Sequence, residues 1–237
     1  MSNYILHKAN TRGEANHGWL HAKHTFSFAN YQNRERMHFG ALRVLNDDCI
    51  DAGMGFGMHP HDNMEIITIP LEGVIEHKDS MGNIGTITAG EIQVMSAGTG
   101  IQHSEYNGSA IEQLKLLQIW LFPKVKNVTP RYAQMSIDTL STPNILQQIL
   151  SPNANDAGVW IHQDAWFHLG KLTADFSVDY TLKKQGNGIY VFVISGNVLV
   201  QDQPLEPRDG IGMWNETTIK ITASTAAKIL IMEVPEI

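Results

Sequence analysis

Residues 59–105 read HPHDNMEIITIPLEGVIEHKDSMGNIGTITAGEIQVMSAGTGIQHSE, and this stretch decides the fold. Met64–Leu71 is a continuous apolar run of the buried-strand kind. Glu72-Gly73 then turns into Val74–His77, and the pair reads as a hairpin. Ser80–Asn83 forms a second turn. Gly85–Ala89 and Ile92–Ser96 are strands split by Ala89-Gly90-Glu91, and a glycine-rich corner follows at Ala97–Gly100. Upstream, Ala41–Leu45 is a short strand closed by a turn at Asn46-Asp47-Asp48, and the first 40 residues read as loop and short turns around aromatic anchors. Downstream, Leu114–Phe122 is another buried strand. Short strands with turn signals every ~8–12 residues predict an all-β sandwich or barrel.

The second half repeats the pattern. IITIPLEGVIEHKDS followed by AGEIQVMS has a counterpart in YVFVISGNVLVQDQ followed by RDGIGMWN, with Gly73 aligned on Gly196. Between the halves, PKVKNVTPR at residues 123–131 has the prolines and polar residues of a boundary. Leu140–Leu150 is expected to form one short helix. Two similar β-modules account for a chain of 237 residues.

Composition narrows the chemistry. A single cysteine, Cys49, excludes an internal disulfide and any site built from several thiolates. Its flanks carry no base to activate it, so a packed thiol is expected. The net charge of −7 disfavours direct nucleic-acid binding through phosphate neutralisation. No apolar run reaches the ~20 residues of a membrane span, and MSNYILHKAN lacks a signal-peptide core, so a cytoplasmic protein without membrane contact is expected.

The anomaly is 11 histidines. His59-Pro60-His61 places two imidazoles on one face of a strand, because side chains at i and i+2 point the same way. His103-Ser104-Glu105 repeats the geometry with an imidazole and a carboxylate. One such pair is a weak signal, but two, each after a glycine-rich corner, can converge inside a barrel. Three His and one Glu leave open positions on an octahedral ion. Glu65 shares strand parity with His59 and His61 and is a candidate for an alternative ligand or for a partner orienting a ligand imidazole. His17, His21 and His24 have helix-like spacing, which Gly18 weakens, and read as polar surface.

These residues resemble a known family. Gly53, His59, His61 and Glu65 are spaced like the first cupin motif. Gly90, Ser96, Gly98, His103 and Asn107 are spaced like the second, with Ser96 where cupins usually carry proline and His103 one or two residues late. Both departures fit the pirin branch, and HGWLHAKHTFSFANY near the start is similar to the short bacterial pirin-like proteins described as quercetin 2,3-dioxygenases. The resemblance implies a bicupin, two antiparallel jelly-roll barrels packed together. A metal-binding barrel is expected over residues 1–130 and a barrel without metal over 131–237. It also implies a ligand set of His59, His61, His103 and Glu105, with Glu105 doubling as catalytic base. In the second half the repeat offers Leu182 and Lys184 opposite the first histidine pair. It offers Ala223 and Thr225 near the position of the second.

The implied cofactor is one divalent transition metal. Fe(II) is expected, and Mn, Co, Ni, Cu or Zn would accept the same donors. The implied activity is ring-opening dioxygenation of a flavonol such as quercetin with O2. The cavity wall is expected to include Phe56, Met58 and Ile101. The alternative is a pirin-like regulator that senses redox state through its metal and binds a protein partner without turnover.

Overall fold

The computed structural model describes residues 4–137 and 142–237. The first half contributes eleven strands among the described residues: β1 Tyr4–His7, β2 Gly13–Asn16, β3 Leu20–His24, β4 Leu42–Ile50, β5 Gly55–His61, β6 Glu65–Glu72, β7 Val74–Asp79, β8 Ile84–Thr88, β9 Glu91–Ser96, β10 Ile101–Asn107 and β11 Leu114–Leu121. The second contributes β12 Arg131–Ser136, β13 Leu146–Ser151, β14 Val159–Trp160, β15 Trp166–Leu172, β16 Ser177–Thr181, β17 Asn187–Ser195, β18 Val198–Val200, β19 Gln203–Leu205, β20 Gly210–Met213, β21 Thr218–Ala223 and β22 Ala227–Pro235. No helix among the described residues is long and apolar enough to cross a membrane.

Each half builds a seven-stranded and a four-stranded sheet. The large sheets run β12-β9-β6-β11-β4-β3-β2 and β1-β20-β17-β22-β15-β13-β14, and the small ones β5-β10-β7-β8 and β16-β21-β18-β19. Matched position by position, strands β4–β11 and β15–β22 follow the same order, so the repeat seen in the sequence is a repeat of topology; the outer edges differ, antiparallel β3-β2 against parallel β13-β14. The fold is a bicupin. The halves also exchange an edge: β1 pairs with β20 of the second barrel, and β12 pairs with β9 of the first. The first strand of each half therefore closes the other half's sheet, and the sheets do not divide at residue 130.

The large sheets pack back to back. Leu45, Ile67 and Ile119 from the first meet Phe167, Tyr190 and Leu230 from the second in one buried cluster. A strand such as β17, covered on one side by this layer and on the other by its own barrel, must be apolar on both faces, which is why NGIYVFVIS shows no alternation. Each fully buried aliphatic side chain there contributes about 1.5–3 kcal/mol.

Several local expectations change. β6 and β7 are not a hairpin, because Glu72-Gly73 carries the chain from the large sheet to the small one, with Gly73 at φ 84°. Asn46-Asp47-Asp48 is not a turn but the middle of β4, paired on both sides. Residues 146–150 lie in β13 and not in a helix, since pairing with β15 outweighs local helix propensity. Leu140 and Ser141 of that expected helix fall outside the described residues. The opening segment holds three real strands and not only loops.

Candidate metal centre

β5 and β10 are antiparallel neighbours, with His59 directly opposite His103. Strand alternation turns His59 and His61 to the barrel interior, and a β-bulge between His103 and Glu105 shifts the register there. The ring centroids of His59, His61 and His103 lie 4.4–5.0 Å apart. One ligand-capable atom from each of the three falls within 4.8 Å of the others. Glu105 joins His103 and His77 in a second group of the same tightness. Among the described residues, both groups lie in the first barrel.

Glu105 is 5% exposed and held from two sides. Gln118 Nε2 donates to its Oε2 at 2.9 Å. The Thr68 hydroxyl lies 3.2 Å from Glu105 Oε1 and 2.9 Å from Gln118 Oε1. Burial pushes the Glu105 carboxyl up to about 7 against the pull of those two donors. Burial and the neighbouring His59 bring His61 down to about 4, and burial with three neighbouring histidines brings His103 to about 2. These imidazoles are neutral at neutral pH, the form that binds metal.

The donor set fits a divalent transition ion. His61 Nε2 and both ring nitrogens of His103 are buried without a hydrogen-bond partner. Unpartnered buried lone pairs are costly, and three rings converging on one point is what an ion would satisfy. His59 Nδ1 donates to the Gly57 carbonyl at 2.7 Å, which leaves Nε2 as its free lone pair.

Glu65 behaves differently. The chain turns at Asn63, φ 44°, between two sheets, so strand parity does not carry from His61 to Glu65. Its carboxylate accepts the Ser96 hydroxyl at 2.7 Å and a backbone N–H from His162 in the second half. It belongs to neither group of converging donors, and burial raises it to about 7.

Further polar residues stand beside these donors, each with a signal in the sequence. His77 stands opposite Glu105 and Asp79 opposite His103 on the neighbouring strand β7. His77 is 2% exposed, and its Nε2 lies 3.3 Å from Asp79. The signal was the alternation His77-Lys78-Asp79 beside a strand already assigned to the site. Gln118 and Thr68 are polar residues at inward positions of otherwise apolar strands, a second readable signal. His24 is buried on β3 and bonds Asn46, while His21 on the same strand is exposed and lies outside the chamber that His17 and His24 both line. Of the expected wall residues, Phe56 lines the cavity, Met58 points to solvent, and Ile101 packs with Ile66 and Met95. Cys49 is a free, half-buried thiol raised by burial.

His59, His61 and Glu105 open onto a cavity of about 170 Å³, lined also by Phe28, Phe56 and Trp120 and by Asn46, Asp48 and Gln118. A two-barrel cupin whose first barrel brings three histidines together, with a carboxylate beside one of them, defines a class of metal-binding proteins. Comparison with known proteins narrows it. The family described as Pirin matches residues 6–121, and the quercetinase C-terminal cupin domain matches residues 148–234. The chain is 46% identical over 232 residues to the quercetin 2,3-dioxygenase of Escherichia coli K12, covering 98% of this chain and 99% of that one. It is 40% identical over 222 residues to a pirin-like protein of Caulobacter vibrioides, covering 93% and 95%. The crystal structure of the bacterial pirin YhhW from Escherichia coli in complex with nickel(II) superposes with a TM-score of 0.93 at 44% identity, covering 99% and 100%. The chain belongs to the pirin family.

Proposed function

We propose that the chain is a metal-dependent dioxygenase that opens the heterocyclic ring of a flavonol such as quercetin with O2, releasing carbon monoxide. The observation that carries the reading is the cluster of unpartnered imidazole nitrogens at the end of an aromatic-walled cavity. It is supported by the likeness to relatives named for this activity. His59, His61, His103 and Glu105 would hold one ion, and Fe(II) suits three nitrogens and one carboxylate. When bound, a divalent ion supplies Lewis acidity toward the 3-hydroxyl and neighbouring carbonyl of a flavonol and so lowers the hydroxyl's pKa.

The chain's own residues do the rest. Glu105 accepts the proton of the 3-hydroxyl, and Gln118 and Thr68 fix the carboxylate that receives it. Phe28 and Trp120 meet edge to face at 5.3 Å, and Trp120 meets His61 at 4.9 Å, giving a rigid slot for a flat ring system. Their apolar surfaces exclude water from the reacting atoms. The test is oxygen uptake by the fully metallated chain with quercetin, matched mole for mole by flavonol loss and carbon monoxide release. Full metal occupancy with no uptake on any flavonol would overturn the reading and leave a metal-dependent binding protein in its place.

A further inference from the structure

The inner cavity is too small for the whole of a flavonol. At about 170 Å³ it falls below the roughly 300 Å³ at which sites for drug-sized ligands begin. A second cavity of about 340 Å³ continues it outward past His17, Trp19 and His24. The two share Phe28, Asn46, Asp48 and Phe56, so a ligand anchored at His59 and His61 that extends into the outer chamber passes this waist.

The polar side of the waist is unusual. Asn46 and Asp48 stand two apart on β4 and face the same way. Asn46 Oδ1 is satisfied by His24 Nδ1 at 2.9 Å. Asp48 is 5% exposed, and its Oδ1 has no hydrogen-bond partner. Its neighbour Asp47, on the opposite face of the strand, takes the Arg12 guanidinium at 3.2 Å, so that cation is engaged away from the cavity. Asp48 belongs to neither group of converging donors. A buried carboxyl oxygen left unpaired costs stability, and Asp48 lines both chambers, where a ligand reaching outward from the histidines passes it.

We propose that Asp48 is a specificity-determining residue: its carboxyl accepts a hydrogen bond from a phenolic hydroxyl on the part of the substrate that extends from the histidines into the outer chamber. The site thereby selects polyhydroxylated aromatic ligands over sparsely hydroxylated ones. This rests on the flavonol reading above and adds how the flavonol is chosen. A phenol O–H can donate to the carboxyl in either protonation state, so the recognition does not depend on its titration.

The experiment is anaerobic titration of the metal-loaded protein with quercetin and with 3-hydroxyflavone, which keeps the chelating hydroxyl and carbonyl but lacks the other hydroxyls. Asp48→Leu keeps the branched four-atom side chain, with methyl groups larger than the oxygens they replace, and removes the acceptor; 3-hydroxyflavone reports any steric effect of that bulk. It is expected to weaken quercetin binding about 10–100-fold while changing 3-hydroxyflavone by less than about threefold. Asp48→Asn keeps an acceptor oxygen in place and should hold the quercetin preference within about fivefold of wild type; it also serves if the leucine variant fails to fold. Metal content and melting temperature report on integrity. If Asp48→Leu weakens both ligands equally or neither, or if Asp48→Asn abolishes the preference while metal and melting are unchanged, the assignment is overturned. If the metal-loaded wild type binds neither flavonol, the flavonol reading fails first and the assignment with it. Wild-type binding with an unchanged ratio in Asp48→Leu sinks the assignment alone.

Discussion

The two barrels share a strand order and differ in what fills them. Inside the second, Ile189, Val191, Val193, Ile219, Ile221, Ile229 and Ile231 join one continuous apolar cluster. Inside the first, the apolar core is split. Leu20, Ile50, Ile75 and Leu116 form one cluster, and Ile66, Met95 and Ile101 form another. Between them runs a belt of polar side chains in direct cross-strand register: Gln93 opposite Thr68, Thr68 opposite Gln118, Gln118 opposite Asn46, and Asn46 opposite His24. The histidines and Glu105 face this belt from the small sheet. Burying polar groups costs stability unless they are bonded. The back-to-back sheets and the filled second barrel supply the apolar burial that lets the first barrel carry a site.

The sharpest way to break this contrast is to remove a donor from the first barrel. His61→Ala and His103→Ala each delete one of three converging imidazoles. Metal affinity is expected to fall by more than the roughly 10–100-fold typical of losing a mere ligand-orienting partner. Metal analysis after gel filtration should show retention near zero and flavonol-dependent oxygen uptake lost with it. Retention of a full equivalent by either variant would place the ion elsewhere.

Glu105→Gln separates holding from chemistry. The carboxamide oxygen can still coordinate but accepts no proton near neutral pH. Turnover should fall ~10²–10⁴-fold with much of the metal retained, and recover in part at high pH, where the flavonol ionises in solution. If Glu65→Gln abolishes turnover and Glu105→Gln does not, the two carboxylates have exchanged roles.

A matching change in the second barrel should do the opposite. Ile221 is fully buried on β21, opposite Val178 and Val200. Ile221→Ala is expected to destabilise the chain by about 2–5 kcal/mol through the cavity it leaves, seen as a lower denaturation midpoint. Metal content and turnover of the folded fraction should stay at wild-type levels. A loss of metal in this variant would show that the second barrel's interior is not purely structural.

Much of this contrast is legible in the residues, and the failures share a cause. The strands of residues 64–122, the repeat, and the two inward-facing pairs all follow from side-chain alternation and turn chemistry, which are local. What went astray depends on which sheet a strand joins. Glu72-Gly73 has the residues of a hairpin turn, yet it links two sheets. Asn46-Asp47-Asp48 has the composition of a turn because two of its residues line a cavity and the third takes Arg12 at the junction of the barrels. Glu65 lost its presumed parity at the turn through Asn63. The residues opposite the metal site were misplaced too. A fixed offset from Gly73 to Gly196 points to Leu182 and Lys184, which follow the end of β16, so Val178 and Tyr180 are the strand's more buried residues. His77 reads in the sequence as a cross-strand polar residue, and its place beside Glu105 appears only when β7 pairs with β10.

The smallest expected effect concerns Glu65, bridging the first barrel to the backbone of His162. Its carboxyl is raised to about 7 from an ordinary 4.5, chiefly by burial. The folded state therefore binds the proton more tightly than the unfolded chain. The resulting stabilisation is full below pH 4.5 and is lost as pH rises through about 7. Relative to Glu65→Gln, which does not titrate, wild type should lose about 1–3 kcal/mol between pH 4.5 and 8, a shift of a few degrees in melting temperature. A difference that stays flat across this range would show that Glu65 ionises freely in the fold.

The most direct test of the contrast between the barrels is anomalous diffraction from crystals of the metal-loaded protein at the absorption edge of its ion. The account predicts one peak per chain, ~2.0–2.4 Å from nitrogens of His59, His61 and His103 and an oxygen of Glu105, with none in the second barrel. A peak inside the second barrel, or one in the first that takes Glu65 or His77 in place of Glu105, would contradict it.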